Sequence, residues 1–330
     1  MMRPSSVSVA VASDIVPKHA PASRRRRRRR DRNNAKANEK AILRRKKKVV
    51  ELSRRDEACK GYCLYCNRFH SLPRTKEAEE CARELIKTLK KRKSVSDETN
   101  ASDFLVEDVY DECTGGKMIG ILVCETNERT KEKEMLKAFS GQWMGEWEVP
   151  GWCPPLAQLT HNSLEYIEER EKIETLSEEI KRLDKKSSSD DVSALVRELK
   201  TKRKNTSRAL LERIWDSYSL PSFRKVKKRV EASDNSNNSD GSRRKLIELN
   251  IRKCYHGDES KLPCGCGDCA APKLLAECAR KGWKPVAIAE TWMGPNVKRG
   301  AGLREEGVFY GACLERCRPI LGHLLCDAEI

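Results

Sequence analysis

A run of seven consecutive arginines, followed by a second basic block, limits where this chain can build a core. Residues 1–56 hold 19 Lys and Arg against 5 Asp and Glu, a net +14 of the +17 on all 330 residues. Like charges at that density repel one another and cannot bury apolar surface, so the segment is expected to be a disordered basic tail. Dense cationic sequence neutralises phosphates, as nucleic-acid-binding arms and nuclear-import signals do. The expected nucleic-acid contacts are therefore Arg24, Arg25, Arg26, Arg27, Arg28, Arg29 and Arg30, with Arg44, Arg45, Lys46, Lys47 and Lys48. RNA is the expected partner and the nucleus the expected compartment, with an organelle transit segment as the alternative.

The composition, 35% charged and 5% aromatic, leaves little material for two full cores. Fifteen cysteines without a credible secretory leader point to a reducing compartment, where thiols bind metal or pack rather than cross-link. The opening MMRPSSVSVAVAS is too polar for a signal peptide. The longest apolar run, MIGILVC from Met118, falls far short of the ~20 residues that span a bilayer, so no membrane partner is expected.

Residues 57–162 read as the first part of an α/β domain. CKGYCLYCNRFHSLP places Cys59, Cys63, Cys66 and His70 within 12 residues around a C-x₂-C core. That density predicts a zinc site of Cys63, Cys66 and His70 plus Cys59 or Cys81; packed loop thiols are the alternative. A helix is predicted over about 75–93, then a β-hairpin with strands near 117–125 and 134–140. The tryptophans of QWMGEWEVPGWCPP read as a wrap over the core rather than a stacking platform.

Residues 163–231 turn helical and highly charged, broken at 187–191, which predicts an inserted antiparallel helical hairpin of coiled-coil type. Folding at that break sets Leu164 against Ile214, Ile167 against Leu211 and Leu183 against Leu195. Glu165, Glu174 and Glu178 then face Arg213, Lys204 and Lys200. This arm is a candidate surface for a protein partner. Within it, KRLDKKSSSD imitates the nucleophile motif of certain pseudouridine synthases, but no strand or glycine follows to bury Asp184, which reads as a solvated helix residue. Residues 232–245 form a polar linker, and 246–330 complete the α/β domain.

In that last segment Cys269 opens a helix over 270–281, a strand KPVAIAETW follows, and Cys313 and Cys317 lie one turn apart at the start of a final helix. Thiols at two helix starts can converge on one cation, and three thiolates with water or a fourth ligand satisfy tetrahedral zinc. Cys264 and Cys266 are candidates to complete the shell, and Asp268 to orient it. The pattern CAAPKLL…KPVAIAE…ACLERCRPIL resembles the metal signature of the cytidine-deaminase fold, and KMIGILVCE…MLKAFSG is similar to its first two strands. The arrangement also resembles the region preceding the catalytic domain in some RluA-family pseudouridine synthases. The resemblance implies a deaminase-like three-layer α/β sandwich with one or two Zn²⁺ sites, Cys269, Cys313 and Cys317 being one ligand set. It departs from the family in two places: the second pair is spaced C-x₃-C, and the proton-shuttling glutamate falls at Ala271, where no carboxylate exists. The expectation is therefore a zinc-binding, RNA-associated accessory protein of RNA modification, not active as a deaminase. An active zinc-dependent nucleobase deaminase and a protein-interaction scaffold are the alternatives.

Overall fold

The computed structural model describes residues 59–94, 104–110, 115–127, 129–159, 163–185, 190–225, 246–257, 262–299 and 302–328. The chain falls into two units, Met1–Arg55 and Asp56–Ile330, and every described residue belongs to the second. The expectations for the basic tail and for the 232–245 linker lie outside the described residues.

The centre is a four-stranded sheet in the order β10–β7–β3–β4, with every neighbouring pair antiparallel. Its strands are β3 (Lys117–Glu125), β4 (Lys133–Phe139), β7 (Lys284–Met293) and β10 (Phe309–Tyr310). The side chains of a strand alternate between faces, and β3 is apolar along its length because both faces are covered. Ile121 and Val123, with Ala287 and Ala289 of β7, meet Ala78 and Ala82 of helix α1 (Lys76–Arg92). Leu122 and Cys124, with Ile288 of β7 and Leu136 and Ala138 of β4, meet Ala270, Leu274 and Cys278 of helix α5 (Ala270–Lys281). Helices thus cover both faces of the sheet, a mixed α/β arrangement of three layers.

Local chemistry fixes the ends of α1. The Thr75 hydroxyl accepts the Ala78 N–H at 3.2 Å, Glu77 and Glu79 occupy the first turn, and Lys90, Lys91 and Arg92 the last. The tryptophan-rich segment wraps the core as expected: Trp143, Trp147 and Trp152 are buried, and Trp143 and Trp152 meet Phe139 edge to face.

Helices α2 (Leu164–Asp184) and α3 (Asp190–Asp216) lie antiparallel, with Glu165 paired to Arg213 at one end and Asp184 to Lys200 (3.1 Å) towards the other. The expected register holds only at the first pair. Lys200 reaches Asp184 rather than Glu178, and Glu174 pairs with Arg170 of its own helix, a partner that is always within reach one turn away. Leu164, Ile167 and Leu195 are exposed, and the buried apolar positions are Ile180, Val196, Leu210 and Trp215. Asp184 is a solvated, ion-paired residue, as the failed motif match implied.

Three further pairs of strands were not legible in the chain: β1 (Cys59–Cys63) with β2 (Arg68–Leu72), β5 (Leu220–Lys225) with β6 (Leu246–Leu249), and β8 (Val297–Arg299) with β9 (Gly302–Arg304). A one-turn helix α4 (Ile251–Cys254) follows β6, and helix α6 (Arg318–Leu324) lies against β1 and β5. Among the described residues no helix is long and apolar enough to cross a membrane.

Candidate metal centres

The Gly265-to-Cys269 loop delivers Cys269 to the start of α5. Gly265 and Gly267 hold φ of +74° and +91°, and a Cβ on Gly267 would sit 2.6 Å from the Tyr218 ring, so only glycine fits there. Between them, the buried Cys266 thiol donates to the Arg316 carbonyl at 2.9 Å, tying this loop to the turn that carries the other two thiols. Cys269 Sγ lies 4.0 Å from Cys313 Sγ, and Cys313 Sγ lies 3.2 Å from Cys317 Sγ. All three sulfurs fall within 4.8 Å of one another and none is in a disulfide. Sulfurs around a tetrahedral zinc with Zn–S near 2.3 Å stand about 3.8 Å apart, so the set fits that ion.

One expectation needs correction. Cys313 and Cys317 do not share a helical face: α6 begins at Arg318, Cys317 is its N-cap, and Cys313 lies before the turn that leads into it. Pro319, whose fixed φ suits the first helical turn, sets this start. The convergence comes from the turn instead, in which the Cys317 N–H donates to Cys313 Sγ at 3.2 Å. Hydrogen bonds from the Cys269 and Cys317 thiols hold the Cys313 thiol well below its ordinary value, and those two thiols are pushed up. Cys264 and Cys266 do not join the group. Cys264 is exposed, and Asp268 accepts the Tyr218 hydroxyl, burial raising its carboxyl.

Cys269 leaves the first turn of α5 without a side-chain cap. The orphan Ala271 N–H is met from the sheet instead: Glu290 Oε1, on β7, accepts it at 3.2 Å. Glu290 fits because the residue opposite it on β3 is Gly120, where a Cβ would meet Ala270 Cβ at 2.7 Å and Leu274 Cδ1 at 2.9 Å. The missing side chain lets the start of α5 close onto the sheet with the carboxyl between them. Burial, then the charge on Cys313, raise Glu290 to about 7, while the Ala271 N–H opposes them. Its oxygens do not complete a ligand group with the three sulfurs, so it stands beside the centre. Nearby, Lys273 is fully buried and donates to the carbonyls of Phe139 (3.1 Å) and Gly141 (2.9 Å), pinning α5 to the end of β4. Burial lowers its ammonium to about 8. Sequence reasoning missed Lys273 entirely.

A second group joins Cys63, Cys66, His70 and Cys326, whose ligand atoms lie within 4.8 Å of one another. Cys66 Sγ is 3.0 Å from His70 Nε2, and burial lowers the imidazole below its ordinary value. Cys59, an expected ligand, is absent from it. On strand β1 Cys59 and Cys63 lie four residues apart, roughly 13 Å in extended chain, so both cannot reach one ion. Cys59 is instead a fully buried core residue, and Cys81 faces the sheet from α1. The fourth position belongs to Cys326, just past α6. Of the isolated histidines, His323 packs with Nε2 2.9 Å from the Leu220 carbonyl oxygen and His256 meets the Tyr62 ring, while His161 lies outside the described residues.

A groove of about 780 Å³ runs between α1, β4 and α5, past Leu85, Met135 and Trp152, but no member of either group lines it. Compared with protein-family models, with curated proteins and with solved structures, the chain matches none. Two Cys/His groups able to hold a metal ion are what the residues themselves offer.

Proposed function

We propose that this chain is a zinc-dependent protein of deaminase-like fold that hydrolyses the exocyclic amine of a nucleobase, brought to RNA by its basic tail. The observation that carries this reading is the Glu290 carboxyl on the Ala271 N–H. The expectation of an inactive accessory protein rested on the alanine at 271. A carboxyl held on that residue's amide from the sheet supports a substitute for the missing side chain. The order of elements supports the same reading: an antiparallel strand pair, a helix opening on a thiol, a strand beside the first, then a turn with two thiols.

Bound by Cys269, Cys313 and Cys317, zinc would supply a water acidified towards neutral pH. Glu290, a buried carboxyl held on the Ala271 N–H, would be the group that moves protons there. It would take one proton from the attacking water and return it to the ring nitrogen, then take the proton of the hydroxyl so added to the ring carbon and pass it to the departing amine. The sum is amine plus water giving carbonyl plus ammonia.

The test is nucleoside mass spectrometry on RNA and DNA pools incubated with reduced, zinc-loaded full chain. Inosine or uridine should form, fall at least about 100-fold with Glu290→Gln while zinc is retained, and vanish with Cys317→Ala. A chain lacking residues 1–56 should lose RNA affinity and most of its salt dependence. Zinc-replete protein without product would return the chain to the accessory reading, and an unchanged rate in Glu290→Gln would remove Glu290 from the chemistry.

A further inference from the structure

We infer that Cys63, Cys66, His70 and Cys326 form a second zinc site, closed and structural, that clamps the β1–β2 hairpin to the end of helix α6. The ligand set carries the identity. Three thiols and an imidazole cannot all be satisfied by a disulfide, and Cys₃His within 4.8 Å is a tetrahedral zinc set with no position left for water. Softer thiolate ligation disfavours magnesium or calcium. Four protein ligands separate this site in kind from the three-thiol group found among the described residues.

The backbone is built for it at each ligand. Cys63 ends β1 and His70 lies on β2, where its cross-strand partner is Gly61. Cys66 stands in the turn between them, which closes with Asn67 in the left-handed region at φ +56°. That residue bends the chain back so that the C-x₂-C sulfurs face His70. Cys326 arrives from the far end of the chain by a close backbone crossing. A Cβ on Gly61 would meet the Arg318 carbonyl at 2.8 Å, and one on Gly322 would overlap the backbone of Tyr62. Two glycines therefore let α6 lie directly on β1, and four residues beyond Gly322 the chain places Cys326 at the group.

The clamp also meets a need. A lone two-stranded hairpin is at best marginally stable in water, and among the described residues β1–β2 pairs with no other strand. Its turn exposes Leu64 and Tyr65, at 46% and 66%, and β2 exposes Phe69, at 50%, so apolar burial near the tip does not hold it. A metal shared with α6 does.

The experiment is zinc per chain by elemental mass spectrometry on reduced full-length protein, loaded with excess zinc and desalted, with hydrogen exchange of residues 59–72 alongside. Wild type should carry two equivalents, Cys326→Ser and Cys66→Ser one, and Cys269→Ser one. His70→Cys, which preserves a closed set, should keep two and guards against a variant that merely misfolds. In Cys326→Ser the hairpin amides should exchange at least tenfold faster. One equivalent in wild type, lost in Cys326→Ser but kept in Cys269→Ser, would support this site and sink the three-thiol centre. Unchanged zinc and unchanged hairpin exchange in both Cys326→Ser and Cys66→Ser would overturn it, as would metal-free wild type.

Discussion

Glu290 shows how a single buried carboxyl ties stability to chemistry. Its value of about 7 lies above that of an unfolded glutamate, so the folded chain holds a proton that the unfolded chain has released. Stability from this group is complete below about pH 4.5 and is lost as pH rises through 7. Glutamine, neutral throughout, escapes that loss. In zinc-free protein Glu290→Gln should match wild type in urea unfolding near pH 4.5 and exceed it by about 3 kcal/mol above pH 7. The chain signalled Glu290 only as an acidic residue ending an apolar strand. Its meeting with Ala271 depends on Gly120 lying opposite, and cross-strand register is not written at any one residue. Cys269, Cys313 and Cys317 were legible because thiols at the starts of ordered segments have few other uses. Cys326 was not, since its partners lie more than 250 residues earlier.

Among the elements, α1, the β3–β4 hairpin, α5 and β7 could be read from periodicity and caps, and they are the layers of the sandwich. The pairing of α2 with α3 could be read only at its first ion pair, because exposed charges accept several partners of nearly equal energy. β1–β2 was not legible because its strands, CKGYC and RFHSL, are five residues each and carry little apolar alternation. The crossing of α6 over β1 is the contact most sensitive to one methyl group. Gly322→Ala should cost about 1–3 kcal/mol or more in denaturant unfolding, since the listener on the other side is backbone and cannot turn aside. The same change at Gly141, where an added Cβ meets nothing within 4 Å but φ is +66°, carries left-handed backbone strain without a clash and measures that strain by itself.

On the scale of the whole molecule, six of the described cysteines, with His70, form two groups able to hold a metal ion, and most of the others are buried, such as Cys124 and Cys278, 3.5 Å apart between β3 and α5. Helix α6 joins the two groups. Its seven residues, about 10 Å of helix, are too few to hold shape alone. Cys313 and Cys317 precede them, and Cys326 follows. The apolar side chains of α6, Ile320, Leu321 and Leu324, are fully buried, so losing the ion at one end would loosen, without freeing, the ligands offered at the other. By reciprocity each occupancy then strengthens its neighbour by the same factor. A chelator titration followed by zinc release should accordingly show loss of the first equivalent easing loss of the second, and two independent steps would count against the coupling. The chain would then respond to falling zinc more steeply than two separate sites would.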